Sequence, residues 1–271
     1  VLETIDNKFI EAVIIPDEDR NTLCISTQVG CPLDCKFCAT GVMGYTRNLT
    51  AGEIIDQYLI ASNEAGKYGI TNIVYMGMGE PLINFKNTIK SLEILTNELS
   101  LGISRNRITV STAGIPENIK ELADNGPKIK LALSLHSPFD EIRTKIMPIN
   151  KKYPLEEVLK ALKYYTEKVN NRITFEYTLL KGINDRDEDI KGIAKICSQL
   201  PSKINLIPFN SIKHIQPDGI SAQLEPSASE HFYNFADKLR AKNITVMVRD
   251  TRGNDIAAAC GQLAIQHQKK R

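Results

Sequence analysis

Short apolar, β-branched runs alternate with longer amphipathic stretches from one end of the chain to the other, and this alternation most narrows the fold. Strands are expected near residues 9–15, 22–27, 72–76, 107–111, 129–134, 172–178, 203–207 and 245–248. Helical patterns fill the gaps at 51–65, 85–99, 116–124, 155–169, 187–200 and 227–241. From residue 22 onward, six or so strands each lead into a helix, which predicts a parallel sheet with right-handed crossovers, open or rolled into a full or partial barrel. In either arrangement ligands bind at the carboxyl ends of the strands. Gly77–Pro81 follow one expected strand, Ser111 ends another, and His136 and Asn210 follow two more.

A chain of 271 residues can bury a sizeable core and suits one large domain. Its 42% hydrophobic and 24% charged content excludes disordered and collagen-like classes. No run approaches the roughly 18 apolar residues of a membrane span, and the N-terminus lacks a secretory layout, so a cytoplasmic location is expected. The sequence opens at Val1 without an initiator methionine, which suggests an N-terminal truncation or processing. A net charge of +2 does not by itself advertise a polyanion partner. There is no internal repeat, and the basic end at 269–271 reads as a frayed tail.

Six cysteines are present, and three of them fall within Gly30-Cys31-Pro-Leu-Asp-Cys35-Lys-Phe-Cys38, straight after an expected strand. Thiolates at this density ligate soft metals, and cysteine is the standing ligand of iron–sulfur clusters. Three cysteines suit three irons of a four-iron cube, leaving the fourth open to a substrate or cofactor. A structural zinc site is the bland alternative. It normally takes four protein ligands in paired sets, and no nearby His or Cys completes this one.

With Phe37 before its last cysteine, the triplet resembles the signature of the radical SAM superfamily, whose open iron chelates the amino and carboxylate groups of S-adenosylmethionine. The resemblance implies an α/β fold: a radical SAM partial (βα)6 barrel of parallel strands with small N- and C-terminal extensions. Residues 1–21 would form an N-terminal strand region, 22–250 the core barrel, and 251–271 a C-terminal segment.

Further stretches are similar to the adenine-C2 methyltransferases that act on both 23S rRNA and tRNA. They are Arg20-Asn-Thr-Leu-Cys24-Ile-Ser-Thr-Gln-Val-Gly-Cys31, Arg47-Asn-Leu, Met76-Gly-Met-Gly-Glu80-Pro-Leu, Ser134-Leu-His-Ser-Pro, Met147-Pro-Ile-Asn-Lys and Asp255-Ile-Ala-Ala-Ala-Cys260-Gly-Gln-Leu. They run in order from about Glu11 to Leu263. The family begins with a small helical accessory domain that helps hold RNA, and the residues given start too late to contain it. Weak methylation of full RNA is therefore expected.

The resemblance assigns roles residue by residue. Cys31, Cys35 and Cys38 would hold a [4Fe-4S] cluster. Gly79 and Glu80 would contact the methionine part of S-adenosylmethionine, and Ser111, Ser134, Leu135, His136 and Asn210 would line the rest of it. Cys260 would be methylated by the first of two cofactor molecules. The second, reductively cleaved, would yield a 5′-deoxyadenosyl radical that strips hydrogen from the new S-methyl group, and the carbon radical would add to adenine C2. Cys24, seven residues before Cys31, matches the thiol that resolves the protein–RNA crosslink through a transient Cys24–Cys260 disulfide, and Glu11 matches the proton acceptor. RNA and an electron donor such as flavodoxin or ferredoxin would be the partners of a monomer that does not engage membranes.

Each assignment has a plainer counterpart. Gly77–Pro81 could be only a turn, a lone His136 is more often structural, and Cys260 would by default be a buried inert thiol. Glu11 could be a solvated edge carboxylate. Cys197 matches no family motif and reads as core packing, while His214, His231 and His267 receive no functional reading. Arg249, Arg252 and the Lys151-Lys152 pair could hold RNA phosphates, although solvated charge is the commoner explanation. Two rival functions remain. One is the paralogous adenine-C8 rRNA methyltransferase, against which Pro81 and Arg249-Asp-Thr-Arg-Gly argue; the other is a non-catalytic, metal-stabilised RNA-binding module.

Overall fold

The computed structural model describes residues 1–248. Its chain opens with a small hairpin, β1 (Leu2–Glu3) and β2 (Phe9–Ile10), followed by β3 (Val13–Asp17) and β4 (Arg20–Cys24). Next come β5 (Gln28–Gly30), α1 (Ala39–Val42), β6 (Tyr45–Asn48) and α2 (Ala51–Glu64). The repeating units are β7 (Asn72–Tyr75) with α3 (Phe85–Thr96), and β8 (Ile108–Thr112) with α4 (Pro116–Asn125). Then follow β9 (Lys130–Ser134) with α5 (Asp140–Ile146) and α6 (Leu155–Val169), β10 (Ile173–Leu179) with α7 (Asp187–Cys197), and β11 (Ser202–Pro208) with α8 (Ser229–Arg240). The last described strand is β12 (Val246–Val248).

Eight strands form one sheet in the order β12-β11-β10-β9-β8-β7-β4-β3. All neighbours run parallel except β3, which lies antiparallel on β4. The sheet curls into a half-barrel whose edges, β3 and β12, are not joined. This is the expected partial barrel, with α2 packed on α3, α4 on α6 and α7 on α8.

The helical side of β9, β10 and β11 is built of large side chains: Leu131, Leu133, Phe175, Tyr177, Ile204 and Leu206 are fully buried. Between them in the pleat stand Ser134, Glu176 and Asn205, in register across β9, β10 and β11. Paired residues of parallel strands share a face, and the Asn205 amide donates to Glu176 Oε2 at 2.7 Å.

Several boundaries differ from the sequence expectation. The single strand expected at 9–15 is two strands: β2 pairs with β1, and after Glu11 and Ala12 the chain continues as β3 on β4. Helices expected to reach 99 and 200 stop at Thr96 and Cys197. The β5–β6 pair and the seven-residue α5 were not expected at all. β6 is separated from β5 by the whole cysteine loop, so no tight-turn signal joins them; α5 is too short to show a helical period.

Past Cys24, β4 gives way to a stretch in which side chains join the backbone bonds from the Ile25 and Thr27 N–H groups to the Val74 and Met78 carbonyls. Gln57, buried on α2, accepts from the Ser26 N–H at 2.8 Å and donates to the Ser26 carbonyl at 2.9 Å, as a neighbouring strand would. Asn84 donates to the Thr27 and Leu49 carbonyls at 2.8 and 2.7 Å. These amides carry the chain from the sheet edge into the cysteine loop. Replacing Gln57 by Leu strips two buried backbone groups of their partners and is expected to destabilise the fold by about 2–4 kcal/mol. Denaturant titration should show the midpoint falling with an unchanged slope.

Candidate active site

The cysteine loop lies between β5 and β6, and the geometry of its entry is set by Gly30. Its φ of +75° is left-handed, and a Cβ there would run into the Gly44 carbonyl, which also accepts the Cys31 N–H at 2.8 Å. Beyond it, Cys31, Cys35 and Phe37 pack against an apolar cluster that includes Leu33, Ala113, Ile146, Met147, Leu180 and Phe209. In these surroundings burial pushes the Cys31 thiol up to about 12 and the Cys35 thiol well above its ordinary value. Charge on Cys38 raises both, and Cys31 raises Cys35. The three sulfurs therefore sit within electrostatic range of one another.

Among the described residues no three His, Cys, Asp or Glu side chains converge as they would around one ion. Thiolates that bind three different irons of a cube need not meet at a point, whereas zinc draws all its ligands to about 2.3 Å. The donor set, three half-buried thiols against an apolar cluster with no fourth ligand among the described residues, fits a four-iron cluster with one open iron. No disulfide joins the described cysteines Cys24, Cys31, Cys35, Cys38 and Cys197.

Glu80 follows β7 and is buried beside this loop. Its Oε1 accepts from Thr112 Oγ1 at 2.7 Å and from the Leu82 N–H at 3.0 Å, and its Oε2 accepts from the Ala113 N–H at 2.7 Å. Burial raises its pKa, and these three donors oppose that shift. A carboxylate has about four acceptor sites, so one direction stays open to a further donor such as an ammonium. Gly79, at φ +99°, holds the preceding turn; a Cβ would lie 2.5 Å from the Gln28 Cβ. Gln28 in turn accepts the Glu80 N–H at 2.8 Å. The Gly77–Pro81 segment is a turn, and one built to aim Glu80.

His136 is buried in a left-handed conformation at φ +51°. Its Nδ1 accepts the Thr178 N–H at 2.9 Å, which puts the ring proton on Nε2, and its ring lies 4.4 Å from that of Phe37, centroid to centroid. Burial, reinforced by the charge of Arg143, lowers its pKa to about 3. The ring is therefore neutral, and the aromatic residue of the cysteine motif seats it against the loop. Leu135 is fully buried in the core, and its N–H donates to the Glu176 carbonyl at 3.0 Å. Ser111, Ser134 and Asn210 are half-buried at the ends of β8, β9 and β11.

Glu11 is buried at 3% exposure and is no solvated edge group. Its carbonyl accepts from Ser26 Oγ at 2.6 Å, next to Cys24, which is itself buried on β4. Cys197 packs partly buried against the core, as expected. Lys151 and Lys152 are exposed. Cys260, Arg249, Arg252 and His267 lie outside the described residues, so the Cys24–Cys260 pairing has no structural counterpart here.

Sequence reading missed Arg143, whose buried guanidinium bonds the carbonyls of Ala113, Ser134 and Leu135. An arginine on an exposed-looking seven-residue helix carries no sign of burial; only its place between two recognised motifs hinted at a role.

The superfamily model described as "Radical SAM superfamily" matches residues 25–193, more than half of the chain. This is a radical SAM protein, and its cofactors are a [4Fe-4S] cluster and S-adenosylmethionine. A probable dual-specificity RNA methyltransferase RlmN of Christiangramia forsetii is 48% identical over 94% of this chain and 71% of its own length. The protein of the same name from Thermotoga maritima is 47% identical over 98% of this chain and 75% of its own. The chain belongs to that family of dual-specificity RNA methyltransferases. A radical SAM methyltransferase crystal structure from Sphaerobacter thermophilus superimposes with a TM-score of 0.89 at 42% identity, covering 96% of this chain and 75% of that one.

Buried neutral His136 makes acid sensitivity testable. Its folded pKa lies below the unfolded value of 6.5, so below pH 6.5 the unfolded chain takes up a proton that the folded chain refuses, and stability is lost as pH falls toward 3. The stability difference between wild type and His136→Gln should shift against wild type by about 1.4 kcal/mol per pH unit in that window, read by urea unfolding at pH 7, 6 and 5. Parallel curves for the two proteins would contradict the neutral assignment.

Proposed function

We propose that this protein methylates C2 of adenine in 23S rRNA and tRNA, with Cys260 as the methyl-carrying thiol. One observation carries the reading: the cysteine loop, Glu80 and His136 are locked together at the carboxyl end of a sheet that belongs, by sequence, to dual-specificity RNA methyltransferases. Held by Cys31, Cys35 and Cys38, a cluster would supply one-electron chemistry to the sulfonium of S-adenosylmethionine. The residues around it do the rest. Glu80 accepts the ammonium of the methionine part, Gly79 lets the backbone approach it, and Ser111, Ser134, His136 and Asn210 line its ribose and adenine, with Leu135 anchoring this corner from within the core. These are uncharged groups, suited to a neutral nucleoside.

Cys260 would accept the methyl group of one S-adenosylmethionine; loss of a hydrogen atom to the deoxyadenosyl group of a second would let that carbon bond adenine C2, the adduct then returning one electron to the cluster. Glu11 takes the proton from C2. The Cys24 thiolate then attacks the Cys260 sulfur, so that the bond from sulfur to the RNA-borne carbon breaks, its electron pair takes up a proton to complete the methyl group, and a Cys24–Cys260 disulfide forms. Burial of Glu11, in the link between β2 and β3, and of Cys24, at the end of β4, supports their working as a pair. A flavodoxin or ferredoxin would deliver the electron, reaching the loop through the cleft lined by Cys31, Lys36, Tyr45 and Asp218. The protein would act as a cytoplasmic monomer; no helix among the described residues is long and apolar enough to cross a membrane.

After anaerobic reconstitution and reaction with RNA, mass spectrometry of the nuclease digest should show 2-methyladenosine; 8-methyladenosine would transfer the chain to the C8 activity, and no product with a colourless, zinc-bearing protein would favour a binding module. Cys260→Ala should lower RNA methylation by on the order of 10³-fold or more. Alanine at 31, 35 or 38 should abolish both iron retention and deoxyadenosine release.

A further inference from the structure

Arg143 is the largest fully buried side chain of the described residues. Its Nε donates to the Leu135 carbonyl at 3.1 Å, Nη1 to Asn150 Oδ1 at 2.6 Å, and Nη2 to the Ala113 and Ser134 carbonyls at 2.6 and 3.0 Å. All four acceptors are uncharged. Among the described residues no carboxylate pairs with it: the ion pairs there use other arginines, lysines or His231. A buried guanidinium with only neutral partners is expensive unless another charge compensates it.

Of the groups near Arg143 that can carry negative charge, Cys35 comes first and Asp140 second, and Cys35 carries it once it is a metal-bound thiolate. Asp140 is already engaged, accepting the Asn150 amide at 2.8 Å and the Leu155 N–H at 2.9 Å. Cys35 is left as the natural counterpart, and the backbone keeps the two in place. The Lys36 N–H donates to the Ile146 carbonyl at 2.9 Å, tying the cysteine loop to the end of α5, the helix that carries Arg143. Ile146 and Met147 wrap the same loop in apolar surface, where charge interactions fall off far less than in water.

We propose that Arg143 is a positioning residue that acts as the fixed counter-charge of the iron–sulfur cluster, raising its reduction potential through Cys35. The inference rests on the cluster reading above. Three thiolates outweigh the positive charge of an oxidised four-iron core, and the entering electron deepens that excess, so a cation built into the wall favours the reduced form. The step is electron transfer alone: an external reductant is oxidised, the cluster is reduced, and no bond to Arg143 forms or breaks. The same guanidinium bonds the backbone carbonyls of Ala113, Ser134 and Leu135, so the charge is held by the very strand ends that face the cofactor.

The test uses the reconstituted 271-residue protein and its Arg143→Gln and Arg143→Lys variants, each assayed for iron content and for cluster potential by dithionite titration with mediators, followed by electron paramagnetic resonance. Lysine keeps the charge but not the planar fork. Arg143→Gln should show about a tenfold lower ratio of reduced to oxidised cluster at a fixed potential, a shift of about 59 mV to more negative values, while Arg143→Lys stays within about twofold of wild type. Loss of iron from Arg143→Gln alone, with Arg143→Lys loaded at the wild-type potential, would equally support a need for charge. An Arg143→Gln potential within twofold of wild type overturns the proposal, and so does an equal shift or equal iron loss in both variants, which would mark a purely structural role. A wild-type protein that takes up no iron would instead overturn the cluster reading itself.

Discussion

The two-residue pleat of the parallel strands governs this molecule. On β9, β10 and β11 every second side chain is a large apolar group turned toward the helices, and the residues between them, Ser134, Glu176 and Asn205, share the opposite face. A one-residue slip of any strand would exchange the two sets, placing a carboxylate in the helical core and a leucine or aromatic ring in the site. Burial of the apolar set thus fixes the register, and register fixes which polar groups stand at the carboxyl ends. The site inherits its precision from a core that has no chemistry of its own.

That inheritance is completed by a few buried polar latches between neighbouring strand ends. Glu80 joins the turn after β7 to Thr112 and Ala113 at the end of β8; Arg143 joins Ala113 to Ser134 and Leu135 at the end of β9; Asn184 donates to the His136 and Thr178 carbonyls at 2.7 and 2.8 Å, joining β9 to β10. Each latch uses a group that would be costly to bury alone and satisfies it with several partners. Carboxylate and guanidinium meet through the backbone of Ala113, which donates to one and accepts from the other. Local loosening at any strand end would therefore be felt at the next.

The sequence was most informative where physical period and chemical spacing coincide. Strands such as β10 and helices such as α6 announce themselves by their patterns, and the C-x3-C-x2-C spacing admits few uses besides metal ligation. It was least informative where tertiary partners replace local signals. Ser26 and Thr27 prolong the expected strand in sequence, yet Ser26 pairs with the Gln57 side chain and Thr27 with Met78, Leu49 and Asn84 outside the ladder, so β4 ends at Cys24. Glu11 could not be told from a solvated carboxylate because its burial follows from the chain leaving one strand pair for another at Ala12. Arg143 hides on α5, where a charged residue would ordinarily face water.

The apolar packing of the half-buried cysteine loop cuts in two directions. Without a ligand, the apolar shell holds the thiols of Cys31 and Cys35 protonated, since ionising them there sets like charges side by side in a medium that screens poorly. A bound cluster reverses this, because its irons replace the protons and carry the positive charge that the thiolates need. The shell that disfavours the empty anionic loop then protects the filled one from water, and Arg143 is charged in both states. Metal loading and the ordering of this corner are therefore expected to be thermodynamically linked, with the energy of ligation available to hold Phe37 on His136 and, through Thr178, the end of β10.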